Sequence, residues 1–360
     1  MGLKFESILI TGGAGFLGSS LALALKSLMP ECKIICLDNL IRKGSHLQLP
    51  RLEGAGVTFI KGDVRNPEEL QDIRADFIVE CSAEPSVQAG IDSSPQYLLD
   101  TNLSGAINCL EWARKNNAKF LFISTSRVYP ITLLQKIPLQ ECDTRFHWLE
   151  PTDKESFRTS EGLTVETPTH RGCRSLYGSS KLAAEMLVEE YASTYGLVAS
   201  SIRFGVIAGP WQMGKVDQGF LTYWLAAHIF KKPLKYFGFG GSGKQVRDVL
   251  HIKDAVESII RVMTNIGQRN LYQIAGGLKH STSLMELTKM AQQISNRNIP
   301  IEPINKTHQN DVPVLLLDGK SSYEALSWQP EFSLERIVED TYQWLVDNRE
   351  LLGPVFNETA

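Results

Sequence analysis

The tightest constraint on this chain is the run Gly12-Gly13-Ala14-Gly15-Phe16-Leu17-Gly18, which directly follows a short apolar stretch at residues 7–11. That stretch is long enough for one buried strand, and residues 17–28 repeat at helical spacing. To pass from strand to helix in so few residues, the backbone at Gly12 needs freedom that a Cβ would remove. Gly15 lets a ligand phosphate approach the backbone, and Gly18 lets helix and strand pack closely. The start of the helix then offers unpaired amides and the positive end of its dipole. A turn of this kind holds the pyrophosphate of a dinucleotide, and its strand needs parallel neighbours to cover it.

The chain supplies those neighbours. Further apolar runs at 33–37, 57–60, 77–81, 120–123 and 198–204 alternate with helical stretches, the clearest at 98–115 and 177–195. The pattern predicts an α/β fold, a Rossmann-type doubly wound parallel sheet with helices on both faces. A chain of 360 residues exceeds one comfortable core. Residues 1–205 are expected to form the NAD-binding Rossmann domain with the Tyr177 helix. Residues 206–350 are expected to form mainly a smaller C-terminal mixed α/β substrate domain, and 351–360 a tail. A strand at 271–274 should return to that domain or to the main sheet, and helices are expected near 220–230, 252–264, 283–295 and 333–348. The polar stretch 139–175, with Pro151 and Pro168 and no sustained period, reads as a surface or lid region.

The second run closes on Asp38, 23 residues after Gly15. Its carboxylate can accept hydrogen bonds from both adenosine ribose hydroxyls and would repel a 2′-phosphate, which favours NAD over NADP. Arg42 and Lys43 keep the NADP reading open. Asp63, after the third run, is placed either to meet the adenine edge or to cap a turn before Pro67. Asn39 and Val64 flank these two acids and are counted with the cofactor contacts. Ser82 and Ala83 follow the fourth run and should lie beneath the cofactor, outside the carboxyl ends of the strands.

Tyr177 and Lys181 stand four residues apart, on one face of the helix that Tyr177 opens. A phenol with a reference pKa of about 10 is a poor base at neutral pH. A nearby ammonium stabilises its phenolate, so the pair reads as a general acid-base and its support. Thr125, within Ser124-Thr125-Ser126 after the fifth run, should reach the same reacting group, with Ser124 as its competitor.

These segments resemble the extended short-chain dehydrogenases/reductases that act on nucleotide sugars, and within them the CDP-tyvelose (CDP-paratose) 2-epimerase branch. The resemblance rests on TGGAGFLG (11–18), LDNLIRKGS (37–45), GDVRN (62–66), STSRVYP (124–130), YGSSK (177–181) and GKQVRDVLHIKD (243–254). It implies pyrophosphate contacts at Gly12, Gly15, Phe16 and Leu17, ribose contact at Asp38, and a catalytic trio of Thr125, Tyr177 and Lys181. It also implies that Arg247 grips the diphosphate of a nucleotide-sugar substrate, with Lys244 or Gln245 assisting. Gln218, in Asp217-Gln218-Gly219, would meet sugar hydroxyls. Arg203, a charge inside an apolar run, needs a substrate or a structural ion pair. The expected reaction is inversion at C2 through a transient keto sugar, with a 4-epimerase as the alternative and an NAD-binding redox sensor as the reading from another class. A homodimer is implied, through helices near 98–115 and 178–195 and their Leu182, Met186 and Tyr191.

Departures from the family pattern are informative. Glu80-Cys81-Ser82-Ala83-Glu84 stands where many relatives have His-x-Ala-Ala/Gly, and Pro130 where Gly often follows Val-Tyr. His308-Gln309-Asn310-Asp311 replaces Arg-x-x-Asp. Related dehydratases place an Asp-Glu pair after the threonine, whereas this chain has Ser126-Arg127, and arginine is no general acid. A formal net charge of -3 gives no pull towards nucleic acid or an anionic membrane. Six cysteines without a CxxC pair or a compact Cys/His cluster argue against a metal site and for a reducing, cytoplasmic setting.

Overall fold

The computed structural model describes residues 4–152 and 154–356. Seven strands form one sheet: Ser7–Thr11 (β1), Lys33–Asp38 (β2), Thr58–Lys61 (β3), Phe77–Glu80 (β4), Lys119–Thr125 (β5), Ala199–Phe204 (β6) and Leu271–Ile274 (β7). Their order is β3-β2-β1-β4-β5-β6-β7, and each pairing is parallel. The winding direction reverses between β1 and β4, which opens a crevice at the carboxyl ends of the strands, as in a Rossmann-type fold.

Helices Phe16–Leu28 (α1), Gly105–Asn116 (α2) and Leu176–Tyr195 (α3) cover this sheet. Ile8 and Ile10 of β1 pack in one cluster with Leu21 and Leu25 of α1. Leu9 packs in another with Leu110 of α2 and Val188 of α3. A strand buried on both faces has no polar side to alternate with, which is why these strands are continuous apolar runs. Each fully buried aliphatic side chain contributes about 1.5–3 kcal/mol.

The helical stretch expected at 98–115 is interrupted. Gln96–Leu99 runs into a π-helical turn at Asp100–Ser104 before α2 begins. The wide turn carries Asn102, whose Oδ1 accepts from the Glu84 amide at 2.8 Å and whose Nδ2 donates to the Glu84 carbonyl at 3.1 Å. It clamps the loop that leaves β4.

Beyond β6 the chain builds a separate mixed sheet from Val206–Ala208, Val246–His251, Ser281–Ser283 and Val314–Leu315. Helices Phe220–Phe230, Leu284–Ser295 and Leu334–Asp347 share a core beside it. Leu271–Ile274 leaves this region to become β7, the outer strand of the main sheet.

Two stretches carry more structure than expected. The 139–175 stretch, expected as a surface or lid region, carries two hairpins, Leu139–Glu141/Phe146–Trp148 and Arg158–Thr159/Gly162–Leu163. Phe146, Trp148 and Leu163 are buried against Val314 and Leu315, and the Leu163 amide donates to the Leu316 carbonyl at 2.9 Å. Strands of two or three residues carry too few apolar positions for a period to show. The expected tail is helical at its start, because Arg349–Phe356 buries Leu352 and Phe356, while 357–360 lie outside the described residues. Among the described residues, no helix is long and apolar enough to cross a membrane.

Candidate active site

The turn after β1 is shaped by close backbone approach. Gly12 has φ +62, and a Cβ there would lie 2.8 Å from the Cys81 carbonyl oxygen. A Cβ on Gly15 or Gly18 would lie 2.9 or 2.3 Å from the Gly12 carbonyl oxygen. The residue before α1 is Gly15, which has no side chain to cap it, so the first amides of the helix remain available to an anion. Asp38, at the end of β2, accepts from the Ala14 amide at 3.0 Å and the Leu40 amide at 2.8 Å. Burial raises its carboxyl above the ordinary value, and those amides oppose the shift.

These residues open onto a cavity of about 980 Å³. Gly12, Gly15, Phe16, Leu17, Asp38, Asn39, Val64, Ser82 and Ala83 all line it. The glycine cradle, the first helix amides and the carboxylate at the end of β2 together fit a dinucleotide. Asp63 stands behind this wall, accepting from Asn39 Nδ2 at 3.0 Å. Hydrogen bonds from Arg65, at 3.0 and 2.7 Å, hold its carboxyl at about 2.

The second cluster lies where β5 meets α3. Ser175 caps α3, accepting from the Gly178 amide at 3.1 Å. A Cβ on Gly178 would lie 2.1 Å from the Arg127 carbonyl oxygen, so the helix is seated directly on the turn after Thr125. This seating brings the Tyr177 phenol beside Thr125. Burial holds the phenol above its usual value, while Thr125 and the Arg127 charge oppose that shift. One turn along, Lys181 is 2% exposed, with Nζ 3.7 Å from Glu80 Oε2 and 4.0 Å from the Phe122 ring centre. Burial lowers its pKa, and Glu80 opposes the shift.

Other residues singled out in the sequence are engaged elsewhere. Ser124 and Arg203 both bind Glu185, the arginine at 2.7 Å, and Arg203 also donates to the Tyr129 hydroxyl at 3.2 Å. For Arg203 this is the ion-pair alternative, and Ser124 is held in the same buried cluster. Gln218 accepts from Arg42, which also donates to the Met213 carbonyl at 3.1 Å, so Gln218 ties the 213–218 segment across the cavity. Lys244 pairs with Glu141 at 2.8 Å, and Arg247 with Asp311 at 2.6 Å.

Sequence reasoning missed three contributors. Asn102 lies within an apolar stripe, where a polar residue is itself a signal. Glu80 closes a strand as a lone acid. Arg127 was weighed only as an acid catalyst. Its guanidinium faces Tyr177, Arg247 and Asp311, and among the described residues it forms no hydrogen bond or ion pair. Burial and the neighbouring Arg247 bring its pKa down to about 10, so it stays cationic at neutral pH.

Of the apolar residues expected at a dimer face, Met186 is 62% exposed and Leu182 is buried. Tyr191 donates its hydroxyl to Glu111 at 2.8 Å within the chain.

Residues 8–275 match the model of the NAD dependent epimerase/dehydratase family. A CDP-paratose 2-epimerase from Salmonella typhi is 30% identical over 352 residues, covering 94% of this chain and 98% of that protein. A UDP-glucuronate 4-epimerase from Thermodesulfobacterium geofontis is 28% identical over 363 residues, covering 96% and 98%. Among solved structures, the Thermotoga maritima UDP-glucose 4-epimerase with UDP-glucose superposes with a TM-score of 0.77 at 24% identity, over 95% of this chain and 99% of that one. That likeness shows the shared fold.

Proposed function

The chain belongs to the NAD dependent epimerase/dehydratase family, and we propose that within it the protein is a nucleotide-sugar epimerase that inverts C2 of the sugar through a transient keto sugar. NAD is the cofactor of that family. The observation that carries the epimerase reading is the Tyr177 phenol beside Thr125, with Lys181 one turn away and the cationic Arg127 next to it.

In this reading the glycine turn, the start of α1 and Asp38 hold NAD, which when bound supplies a hydride sink and source at its nicotinamide ring. Thr125 aligns the reacting sugar hydroxyl with Tyr177. Tyr177, as phenolate, takes that proton and returns it to the same oxygen after the ring has presented its other face. The Lys181 charge makes the phenolate affordable near neutral pH. Arg127 and Arg247 together offer more positive charge than Asp311 balances, which suits a diphosphate. No acid stands after Thr125 to protonate a leaving hydroxyl, so dehydration is disfavoured.

Support for C2 is the likeness to the CDP-paratose 2-epimerase. Gln218 no longer adds to it, because its side chain is held by Arg42. That engagement favours keeping inversion at C4 as the second reading. NAD-loaded protein incubated with CDP-, GDP- and UDP-sugars deuterated at C2 or at C4 separates the two by NMR. C2 inversion with deuterium retained at C2 is expected. An inverted C4 with C2 untouched overturns the C2 assignment and leaves the Tyr177 chemistry standing.

A further inference from the structure

Glu80, the last residue of β4, is 1% exposed, and neither carboxylate oxygen has a hydrogen-bond partner among the described residues. A carboxylate sealed from water in this way is strongly disfavoured unless a cation accompanies it. The surroundings offer one. From α3, Lys181 brings Nζ to 3.7 Å, itself 2% exposed. The other titratable groups facing Glu80 are Tyr177 on α3, Cys81 next in the chain and Cys109 on α2. Burial pushes both thiols well above their usual value, so they are neutral. Across the sheet, Glu80 stands opposite Thr11 of β1 and Phe122 of β5, neither of them charged.

Seen from Lys181 the arrangement is equally restricted. Its acidic neighbours are Glu80 and Glu185. Glu185 is already committed to Arg203 through contacts of 3.1, 3.1 and 2.7 Å. Glu80 is therefore the counter-ion left to Lys181. We propose that Glu80 is a positioning residue for the reaction, holding Lys181 in place and in its ammonium form so that its charge can act on Tyr177.

The inference rests on the reading of Tyr177 and Lys181 as the proton-transfer pair. Burial alone discharges a lysine, and a neutral lysine gives no help to a phenolate. Burial also pushes Glu80 up to about 7, with Lys181 opposing that rise. As pH rises through that value Glu80 gains its charge and holds Lys181 more firmly as ammonium. Below it, Glu80 is protonated and its hold on Lys181 weakens.

The test reads Lys181 directly. NAD-loaded full-length protein carrying [ε-13C]lysine is titrated by NMR, with the Lys181 signal assigned as the one missing from Lys181→Arg. In Glu80→Gln the Lys181 midpoint should fall by at least one pH unit, about a tenfold loss of proton affinity. Glu80→Asp, with its carboxylate further from Nζ, should give a smaller fall. If nucleotide sugars are turned over, the alkaline limb of kcat should move down with the midpoint while KM stays constant. An unchanged Lys181 midpoint in a folded Glu80→Gln protein overturns the inference. Should that variant fail to fold, an unchanged midpoint in Glu80→Asp overturns it equally. A shifted midpoint without sugar turnover leaves the inference in place and counts against the proposed activity instead.

Discussion

The two walls of the cleft are built by different means. On the cofactor wall the backbone does the shaping: Gly12, Gly15 and Gly18 let main chain approach main chain within distances no Cβ would tolerate. Even Asp38 is oriented by two amides. On the side proposed to meet substrate, side chains from distant parts of the chain hold one another. Arg247 meets a partner 64 residues away, Lys244 one 103 away and Arg42 one 176 away. A backbone-built wall is rigid and tolerates little change. A wall of paired side chains can be re-paired, and it can exchange an internal partner for a ligand.

The Tyr177 centre, proposed to act on substrate and cofactor alike, should show the largest effect. Tyr177→Phe removes the proton-transfer group without disturbing the Ser175 cap or the seating of Gly178. A loss in turnover of about 10³-fold or more is expected, with NAD still bound, as measured by kinetics and by cofactor content. Wild-type turnover in a folded, NAD-loaded variant would show that neither wall serves this tyrosine.

Glu185 comes next. Replacing it with Ala leaves the Arg203 guanidinium buried and unpaired, which should cost about 3–5 kcal/mol in urea unfolding. Glu185→Leu with Arg203→Met, which removes both charges, should recover much of that loss and leave the substrate KM within about twofold. A large rise in KM in the double variant would place Arg203 on the side proposed to meet substrate and break the comparison there.

The same contrast sets what the sequence could tell. The strand-turn-helix around Gly12 and Gly15 and the strand ending at Asp38 were legible because glycine spacing and a strand-end acid are local signals that follow from neighbours in the chain. The roles of Ser124 and Arg203 stayed open for the opposite reason. Their partner, Glu185, sits on α3, and nothing in the spacing reveals which face of β5 or β6 it covers. The hairpins within 139–175 escaped notice because Phe146, Trp148 and Leu163 act singly, each finding its core across a long loop. Glu80 was visible as a departure, but its meaning needed Lys181 beside it.

A milder blow to the cofactor wall is Gly18→Ala. The added methyl would lie 2.3 Å from the Gly12 carbonyl oxygen, a backbone atom with no rotamer to yield. The turn must shift, and NAD affinity should fall about 10- to 100-fold by fluorescence titration, an effect of about 1.4–2.8 kcal/mol. Unchanged affinity would show that the wall is softer than its contacts imply.

The smallest effect sharpens the comparison most, because Asp63 lies on the cofactor side yet is held by side chains. Arg65 keeps its carboxyl at about 2, below the ordinary value of 3.8. A folded value below the unfolded one adds stability that is fully present above the unfolded value and is lost as pH falls through the folded one. Because Arg65 is 32% exposed and Asp63 11%, solvent screens the pair, and its contribution at neutral pH is about 1 kcal/mol. Asp63→Asn should therefore lower stability by about that amount at pH 7, and the gap should close as pH falls from 4 towards 2. Urea unfolding across that range measures it. NAD affinity should change less than about threefold, since Asn39 forms the wall and an asparagine oxygen at 63 can still accept its hydrogen bond. A tenfold loss of NAD affinity would instead place the Asp63 carboxylate on the adenine itself and give the backbone-built wall a side-chain contact of its own.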